Sequence, residues 1–358
     1  MNKKDGRRAD SKRWIPLVVI LAAAAAVIAI VAVAMTHSSG IRNGNADTDN
    51  EIIQGRDVED NQNEISLTDP TADSEGTEDF VIFGVDSRSN ALGTGTRSDS
   101  IMIVHIDHDE RTVKIASIYR DCMVHIEGHD YEKITHAHMY GGPEFALSTI
   151  NENFDLDIQQ YMTLNFITVS SLIDEIGGVE MEITDEEVSH LSSYDGKYCG
   201  TITEPGTYLL DGDQAVAYSR IRHAEGGDYR RAERQRDVLI ALLDKAKTMD
   251  TDDVLTLVDD MLAQINSNYR AADLTTLIYN LADYDIVETT AYPQVFYGGR
   301  IDGSWVEVPI TLIDMNEGLH EFLYDETDYT PSPEVETYSA ALLEKESVPN
   351  EDLTVYAD

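Results

Sequence analysis

An unbroken apolar run from Ile15 to Met35 divides this chain before any folded element is considered. At about 1.5 Å per residue, a helix of that length crosses the hydrocarbon core of a bilayer. Lys3, Lys4, Arg7, Arg8, Lys12 and Arg13 precede the run, and the segment after it is acidic. The asymmetry orients the chain: residues 1–14 are expected as a cytoplasmic tail, 15–35 as a single transmembrane helix, and everything from Thr36 onward outside the cell membrane. Ala32-Val33-Ala34 has the small residues of a signal-peptidase site. The apolar stretch exceeds the usual signal core, however, so a retained signal-anchor is expected.

Residues 36–78 are rich in Asn, Asp, Glu, Ser, Thr and Gly and too poor in apolar residues to offset the entropy of ordering. They predict a disordered extracytoplasmic linker with a reach of roughly 35 Å. Beyond it the composition turns globular, which predicts one large domain over 79–330. A polar, acidic and mobile C-terminal tail is expected over 331–358, with one apolar cluster from Tyr338 to Leu343. The formal net charge of -41 excludes nucleic acid and anionic lipid surfaces as broad docking partners. The two cysteines, Cys122 and Cys199, have no metal-site spacing and are open to two readings, a disulfide or two buried thiols. Because Cys122 directly follows Arg120-Asp121, a disulfide pinning the Cys199 loop beside that dipeptide is the expectation. Histidines such as His105 and His125 sit in strand-like runs and read as packing or surface residues.

Phe80 to Val85 is a buried-strand run that passes at once into Asp86-Ser87-Arg88 and a glycine-rich loop ending at Arg97-Ser98-Asp99. Ile101 to Ile106 and Thr112 to Ile118 are two more strands, joined by the turn-like Asp107-His108-Asp109-Glu110 into an antiparallel hairpin. If the first strand lies parallel to the third, the end of the first, the start of the second and the end of the third share one sheet edge. Asp86, Arg88, Arg97, Asp99, Arg120 and Asp121 then meet there. Carboxylates for a hard divalent ion beside forked cations for phosphate charge make up a metal-assisted phosphate site, with Mg2+ the natural ion. The alternative is that Asp86 and Asp99 merely pair with Arg88 and Arg97 across the loop.

A second concentration of charge lies at Tyr218 to Arg236, YSRIRHAEGGDYRRAERQR, which holds six of the seventeen arginines and no lysine. Planar guanidinium groups suit bidentate recognition of phosphate. Asp228 is a good N-cap, and helix is expected from Tyr229 onward, where unpaired N–H groups favour an anion. Helical spacing puts Arg231, Gln235, Val238 and Leu242 on one stripe, flanked by Arg234 and Leu239. That stripe is expected to face inward, carrying Arg231 and Gln235 into a cleft. Arg230 and Arg236 are expected to be solvated, and Glu233 and Asp237 to form an exposed acidic side. The alternative is a salt-bridged surface helix.

FGVDSR, TRSDS, SIYRD, KITHAH, LDGDQAVAYSRIR and GDYRRAERQR, in that order after a membrane anchor, resemble the LytR-CpsA-Psr family. The resemblance covers about Phe80 to Leu243. It implies an extracytoplasmic phosphotransferase that moves an anionic glycopolymer, such as teichoic acid or capsule, from a polyprenyl pyrophosphate carrier onto peptidoglycan. Carried over, it implies Asp86 and Asp99 as magnesium ligands. It likewise implies Arg88, Arg120, Arg220, Arg222 and Arg231 as pyrophosphate contacts, with Gln235 as a site glutamine. Arg97, Asp121, Lys133 and Asp228 fall on motif positions with roles in orienting loops or moving protons. Tyr119 stands where the family commonly has proline and Arg230 where it has glycine, which leaves the approach to the pocket in question.

Phe145 to Phe154 and Phe166 to Ile176 read as amphipathic helices, with Val179 to Ile183 as a strand between glycines and a loop. Thr251 to Ile265 and Ala272 to Ala282 read as acidic helices, Trp305 to Ile310 as a late strand and Glu317 to Tyr324 as helix. The fold expected is α/β, a mixed central sheet with helices on both faces. The resemblance further implies a tunnel between sheet and helices for the polyprenyl chain. On this reading Arg120, Arg220, Arg222 and Arg231 neutralise the pyrophosphate, and Asp121 or Asp228 is a candidate base for the acceptor hydroxyl. Two rivals use the same pocket: a polyprenyl pyrophosphate hydrolase, and a non-catalytic sensor of such lipids. Polymer specificity is left to loops such as Asp185 to Glu204.

Overall fold

The structure, a computed structural model, describes residues 76–85, 87, 92–194, 202–221, 227–246, 264–270, 277, 284–301, 303–344 and 353–355. The expected transmembrane segment lies outside these residues, as do residues 36–75 of the expected linker and nearly all of the helices expected over 251–265 and 272–282; Thr77 and Glu78, expected at the end of the linker, are instead in the first strand, and Leu277 is helical and buried. No helix among the described residues is long and apolar enough to cross a membrane.

In chain order, strands β1 (Thr77–Val85), β2 (Ser98–Asp107) and β3 (Thr112–Ile118) are followed by a short hairpin of β4 (Met123–Ile126) and β5 (Asp130–Lys133) and by helix α1 (Thr135–Phe154). Next come β6 (Gln160–Asn165), α2 (Phe166–Glu175), β7 (Val179–Ile183), α3 (Asp185–Tyr194), β8 (Gly206–Leu210), α4 (Gly212–Ser219) and α5 (Gly227–Ala246). The chain continues through β9 (Asn266–Ser267), β10 (Asp285–Tyr292), β11 (Val295–Ile301), β12 (Ser304–Pro309), α6 (Leu312–Tyr324), α7 (Pro333–Leu343) and β13 (Leu353–Val355). Six strands make the central mixed sheet in the order β10-β3-β2-β1-β6-β9, with β1 antiparallel to β2, β2 antiparallel to β3, and β1 parallel to β6.

Period-two alternation along β1 and β2 feeds two cores. Phe80, Ile82, Met102 and Val104 face a layer built from α2, α4 and α5, including Leu172, Ala215, Val238 and Leu242. Val81, Phe83, Ile101 and Ile103 face α1, α6 and α7, including Ile150, Phe154, Leu319 and Leu342. Each buried Phe or Ile removes apolar surface worth about 1.5–3 kcal/mol. Phe80, Ile82, Phe83 and Ile103 are all 0% exposed, so β1 and β2 anchor both layers. The expected α/β sheet with helices on both faces is therefore what these residues form.

Local sequence fixes the helices that frame the site. Asn165, the last residue of β6, caps α2 by accepting from the Thr168 N–H at 3.1 Å. Asp211 and Gln214 form a capping box on α4, with hydrogen bonds of 2.8 and 3.1 Å. Gly212 must be glycine because a Cβ there would stand 2.0 Å from the Ser170 carbonyl oxygen of α2. The Leu-Asp-Gly-Asp-Gln segment is thus a device for seating one helix tightly on another.

Several expectations need correction. Residues 333–343, expected within a mobile tail, form α7, whose Val335, Ser339 and Leu342 are buried at helical spacing, and β13 pairs with β11. The polar and acidic residues of the surrounding 331–358 segment hid this stripe. The amphipathic helix expected from Phe145 begins at Thr135 and continues across a break at Gly142, whose φ of 77° only glycine adopts readily. Half of the Asp185 to Glu204 segment is the helix α3, started by Thr184 and Glu187, which exchange hydrogen bonds of 2.9 and 3.4 Å. Finally, α5 begins at Gly227, so Asp228 lies inside its first turn rather than at its N-cap.

Candidate active site

Register brings the site together. Val85 pairs with Ser98 on one side and Asn165 on the other, while Ile118 pairs with Tyr292. The carboxyl ends of β1, β3, β6 and β10 and the start of β2 therefore lie along one edge, the usual place for a ligand in an open α/β sheet. This is the edge expected from the hairpin argument.

Asp99, 6% exposed, accepts from Nη1 of Arg120 at 2.5 Å. Arg120 Nε lies 3.7 Å from Asp121 Oδ2, and Lys133 Nζ donates to Asp121 Oδ1 at 2.8 Å. A partly buried chain of alternating charge thus runs Asp99, Arg120, Asp121, Lys133. The pairing of Asp99 with Arg97 weighed from sequence is not formed; Arg97 is exposed. Backbone bonds hold the dipeptide from both sides: the Thr135 N–H donates to the Arg120 carbonyl at 3.2 Å, and the Glu307 N–H to the Asp121 carbonyl at 2.9 Å. Asp86, Arg88 and Arg222 lie outside the described residues, and of Asp228 only the helical backbone is described.

Helix α5 brings the second group of cations. Arg236 Nη1 reaches the Ser117 hydroxyl and the Thr290 carbonyl, each at 3.5 Å, and one turn earlier Ala232 packs with Tyr119, Ala291 and Phe296. The helix therefore runs antiparallel to β3, with its amino-terminal part, which carries Arg231, beside Tyr119 at the carboxyl end of that strand. Arg231 and Gln235 are each 3% exposed, as the stripe argument requires. Gln235 Nε2 is buried with no hydrogen-bond acceptor among the described residues. A buried polar atom of that kind costs on the order of 1–3 kcal/mol unless a ligand meets it. Arg220, at the C-cap of α4, places its guanidinium 4.9 Å above the Phe166 ring at the end of β6.

The solvated role expected for Arg236 is wrong, because it is 6% exposed and packed across the paired strands β3 and β10. Sequence spacing describes one helix face, whereas α5 is packed on two. Arg230 is exposed as expected and pairs with Glu233 at 2.7 Å. Arg234 is buried against Glu187 at 2.7 Å and donates to the Ile221 carbonyl at 3.2 Å, steadying the chain just before Arg222. Burial opposes the Glu187 charge, but the Thr184 N–H, Arg234 and the Thr184 hydroxyl hold its carboxyl below the usual range. Asp237 is not on an exposed acidic side. Burial, reinforced by Glu233, pushes its pKa up to about 6.

The sequence reading overlooked the part played by His138. Fully buried, it donates from Nδ1 to the Thr96 carbonyl at 2.9 Å and so ties α1 to the glycine-rich loop before Asp99. Burial pushes its pKa down to about 4, with the backbone bond opposing, so the ring stays neutral. The placement of His138 beside His136 in KITHAH was the available signal. Cys122 is a free, fully buried thiol, which corrects the expected disulfide; Cys199 lies outside the described residues. Its Sγ is enclosed by the apolar core under β4, where burial first and then Glu307 and Asp121 raise the thiol pKa.

No group of three or more metal-ligating side chains occurs among the described residues. Magnesium needs no such cage, since it is commonly held by one or two carboxylates together with substrate phosphate oxygens and water. The donor chemistry of Asp99 at this edge fits that mode.

Residues 37–317 match the model of the LytR_cpsA_psr family. The chain is 29% identical over 298 residues to the polyisoprenyl-teichoic acid–peptidoglycan teichoic acid transferase TagT of Bacillus subtilis, a match covering 82% of this chain and 91% of the relative. Two solved structures are similar over 71% of this chain and 92% of theirs: TagT bound to LIIa-WTA, 27% identical with a TM-score of 0.57, and TagT with bound octaprenyl pyrophosphate lipid, 26% identical with a TM-score of 0.54.

Proposed function

The chain belongs to the LytR-CpsA-Psr family, and from that premise we propose that it is a membrane-anchored extracytoplasmic phosphotransferase. It moves a glycopolymer from a polyprenyl pyrophosphate carrier onto peptidoglycan through a phosphodiester bond. The observation that carries this reading is the sheet edge itself, where Asp99, Arg120, Asp121 and Lys133 are joined next to Tyr119, against which Ala232 packs on the helix that holds the buried Arg231 and Gln235. A relative with a similar fold holds octaprenyl pyrophosphate, the ligand class to which such an edge is complementary. The apolar run at 15–35 and the basic residues before it support a single-pass anchor with its N-terminus in the cytoplasm.

In this reading an acceptor sugar hydroxyl attacks the sugar-side phosphorus in line, and polyprenyl phosphate leaves. Arg120, Arg220, Arg222 and Arg231, with Arg88 and Arg97 from the preceding loop, neutralise charge on the pyrophosphate. Gln235 donates its otherwise unmet N–H to a phosphate oxygen. Asp86 and Asp99 would hold a magnesium ion, whose chemistry is to neutralise charge developing on the phosphate oxygens. Lys133 and Arg120 engage Asp121, so Asp121 fixes these two cations in addition to standing, with Asp228, as a candidate to take the acceptor proton. No covalent enzyme intermediate is required. Positioning in a partly dry pocket supplies the rate.

The test incubates the full chain in detergent with a lipid-linked glycopolymer and peptidoglycan fragments. Polymer joined to peptidoglycan through a phosphodiester, with polyprenyl monophosphate released, is the expected result. Free polymer phosphate alone would mean a hydrolase, and donor bound but unconverted would mean a sensor.

A further inference from the structure

One face of the β11–β12 hairpin is continuous with the arginine edge. The strands pair Phe296 with Pro309, Gly298 with Glu307 and Arg300 with Trp305, so these positions share that face. Val306 and Val308 point the other way, into the core built with α1 and α6. At Phe296 the shared face is closed, because the ring packs with Tyr119 and Ala232. At Glu307 it meets the sheet edge, where the Glu307 N–H donates to the Asp121 carbonyl at 2.9 Å. Two residues before Glu307 on β12, about 7 Å away at 3.4 Å per residue, the face opens at Trp305, which is 46% exposed.

The six-membered part of the Trp305 indole lies against Gly298, where a Cβ would stand 2.8 Å from Cζ2 and 3.1 Å from Cη2. A glycine inside a strand marks a close approach of this kind. Gly298 is the diagonal neighbour of Trp305 on the Phe296 side, so the indole leans along the strands toward Tyr119 and away from the hairpin turn. No aromatic ring or guanidinium stacks on it among the described residues. Arg300, its cross-strand partner, is exposed and held across the turn by donating from Nη1 to the Gly303 carbonyl at 2.8 Å. It makes no ion pair among the described residues, in a chain with 67 acidic side chains against 26 lysines and arginines. An open indole beside an arginine that no carboxylate has claimed is suited to a ligand with one apolar face and one negative charge.

We propose that Trp305 and Arg300 seat the acceptor glycan, a saccharide that carries a carboxylate. A pyranose ring stacks on the indole, because the C–H bonds on one sugar face are partly positive and the π face is negative. The carboxylate pairs with the guanidinium fork of Arg300. A glycan chain seated at Trp305 and extended past Glu307 reaches the Arg120-Asp121 corner, which directs its next hydroxyl toward the pyrophosphate. The inference rests on the transfer reading above and deepens it by giving the acceptor a place of its own, outside the arginine cluster.

Trp14 and Trp305 are the two tryptophans of the chain, so Trp14→Phe leaves Trp305 as the sole indole reporter. That full chain in detergent is titrated with N-acetylglucosaminyl-N-acetylmuramic acid. A saturable change in Trp305 fluorescence is expected, with binding about tenfold weaker for chitobiose, which lacks the carboxylate, and for Arg300→Gln. Trp305→Leu keeps an apolar cover over Gly298, and a thermal melt confirms its fold; calorimetry should show its saccharide binding weakened at least about tenfold. Arg231→Ala should leave saccharide binding unchanged, and Trp305→Leu should leave polyprenyl pyrophosphate binding unchanged. Absence of saturation, equal binding of chitobiose, or full saccharide binding by folded Trp305→Leu would overturn the proposal. Saccharide binding that follows the expected pattern in a chain that fails to transfer polymer would support the seat and strike the transfer reading alone.

Discussion

Arginine 231 can be separated from its neighbours on α5 by a three-way comparison that draws on burial rather than charge. Arg231 is 3% exposed at the sheet edge, Arg236 is 6% exposed but engaged by Ser117 and Thr290, and Arg230 has a side chain 53% exposed and paired with Glu233. If Arg231 forks onto a pyrophosphate oxygen, Arg231→Ala removes a charge-assisted hydrogen bond worth about 1.5–3 kcal/mol. That loss corresponds to roughly ten- to 150-fold weaker binding. Arg230→Ala removes an exposed i,i+3 pair worth about 0.2–1 kcal/mol to stability, with nothing lost in binding. Arg236→Ala should lower the melting temperature, since it leaves a gap between α5 and the paired strands β3 and β10, while the folded fraction binds normally. The assay is titration of the full chain in detergent with a short-chain polyprenyl pyrophosphate, alongside a thermal melt. Equal binding losses in Arg231→Ala and Arg230→Ala would refute the orientation of α5, and no loss in Arg231→Ala would refute the site.

Asp99→Asn should raise the magnesium concentration needed for half-maximal transfer; an unchanged midpoint would leave Asp99 only its ion pair with Arg120. His138, its pKa lowered to about 4 from 6.5, contributes stability that is fully present above pH 6.5 and lost as pH falls toward 4, up to about 3 kcal/mol by linkage. His138→Gln should flatten that part of a denaturation-versus-pH profile, and an unaltered profile would contradict the assignment. Gly212→Ala should cost about 1–3 kcal/mol, because its Cβ would stand 2.0 Å from the Ser170 carbonyl oxygen; an unchanged melting temperature would rule out that close approach. Cys122 should resist iodoacetamide in the native protein and react after unfolding without reductant, whereas a disulfide would leave it unreactive in both.

Strand periodicity and turn chemistry made the sheet edge legible from sequence, because three consecutive antiparallel strands allow few registers once Phe80–Val85 and Ile101–Ile106 are read as buried. The inward stripe of Arg231, Gln235, Val238 and Leu242 was legible for the same reason, a fixed helical period. Arg236 was misread because β3 and β10 close on a second face of α5, a contact between segments far apart in sequence that no local period encodes. The partner of Asp99 was likewise decided across strands, by Arg120 rather than by nearby Arg97. In α7, two glutamates and the polar residues around them conceal a buried stripe of only Val335, Ser339 and Leu342. The capping box at Thr184 and Glu187 was a readable signal that the loop expectation for 185–204 passed over.

A crystal structure of this protein with a polyprenyl pyrophosphate would show whether a lipid pyrophosphate sits at the carboxyl edge of the β-sheet. Diphosphate density is expected within hydrogen-bond reach of Arg120, Arg231 and Gln235, with the prenyl chain running between the sheet and the α2, α4 and α5 layer. Diphosphate density away from that edge, with Arg231 and Gln235 still buried and making no contact to it, would contradict the account.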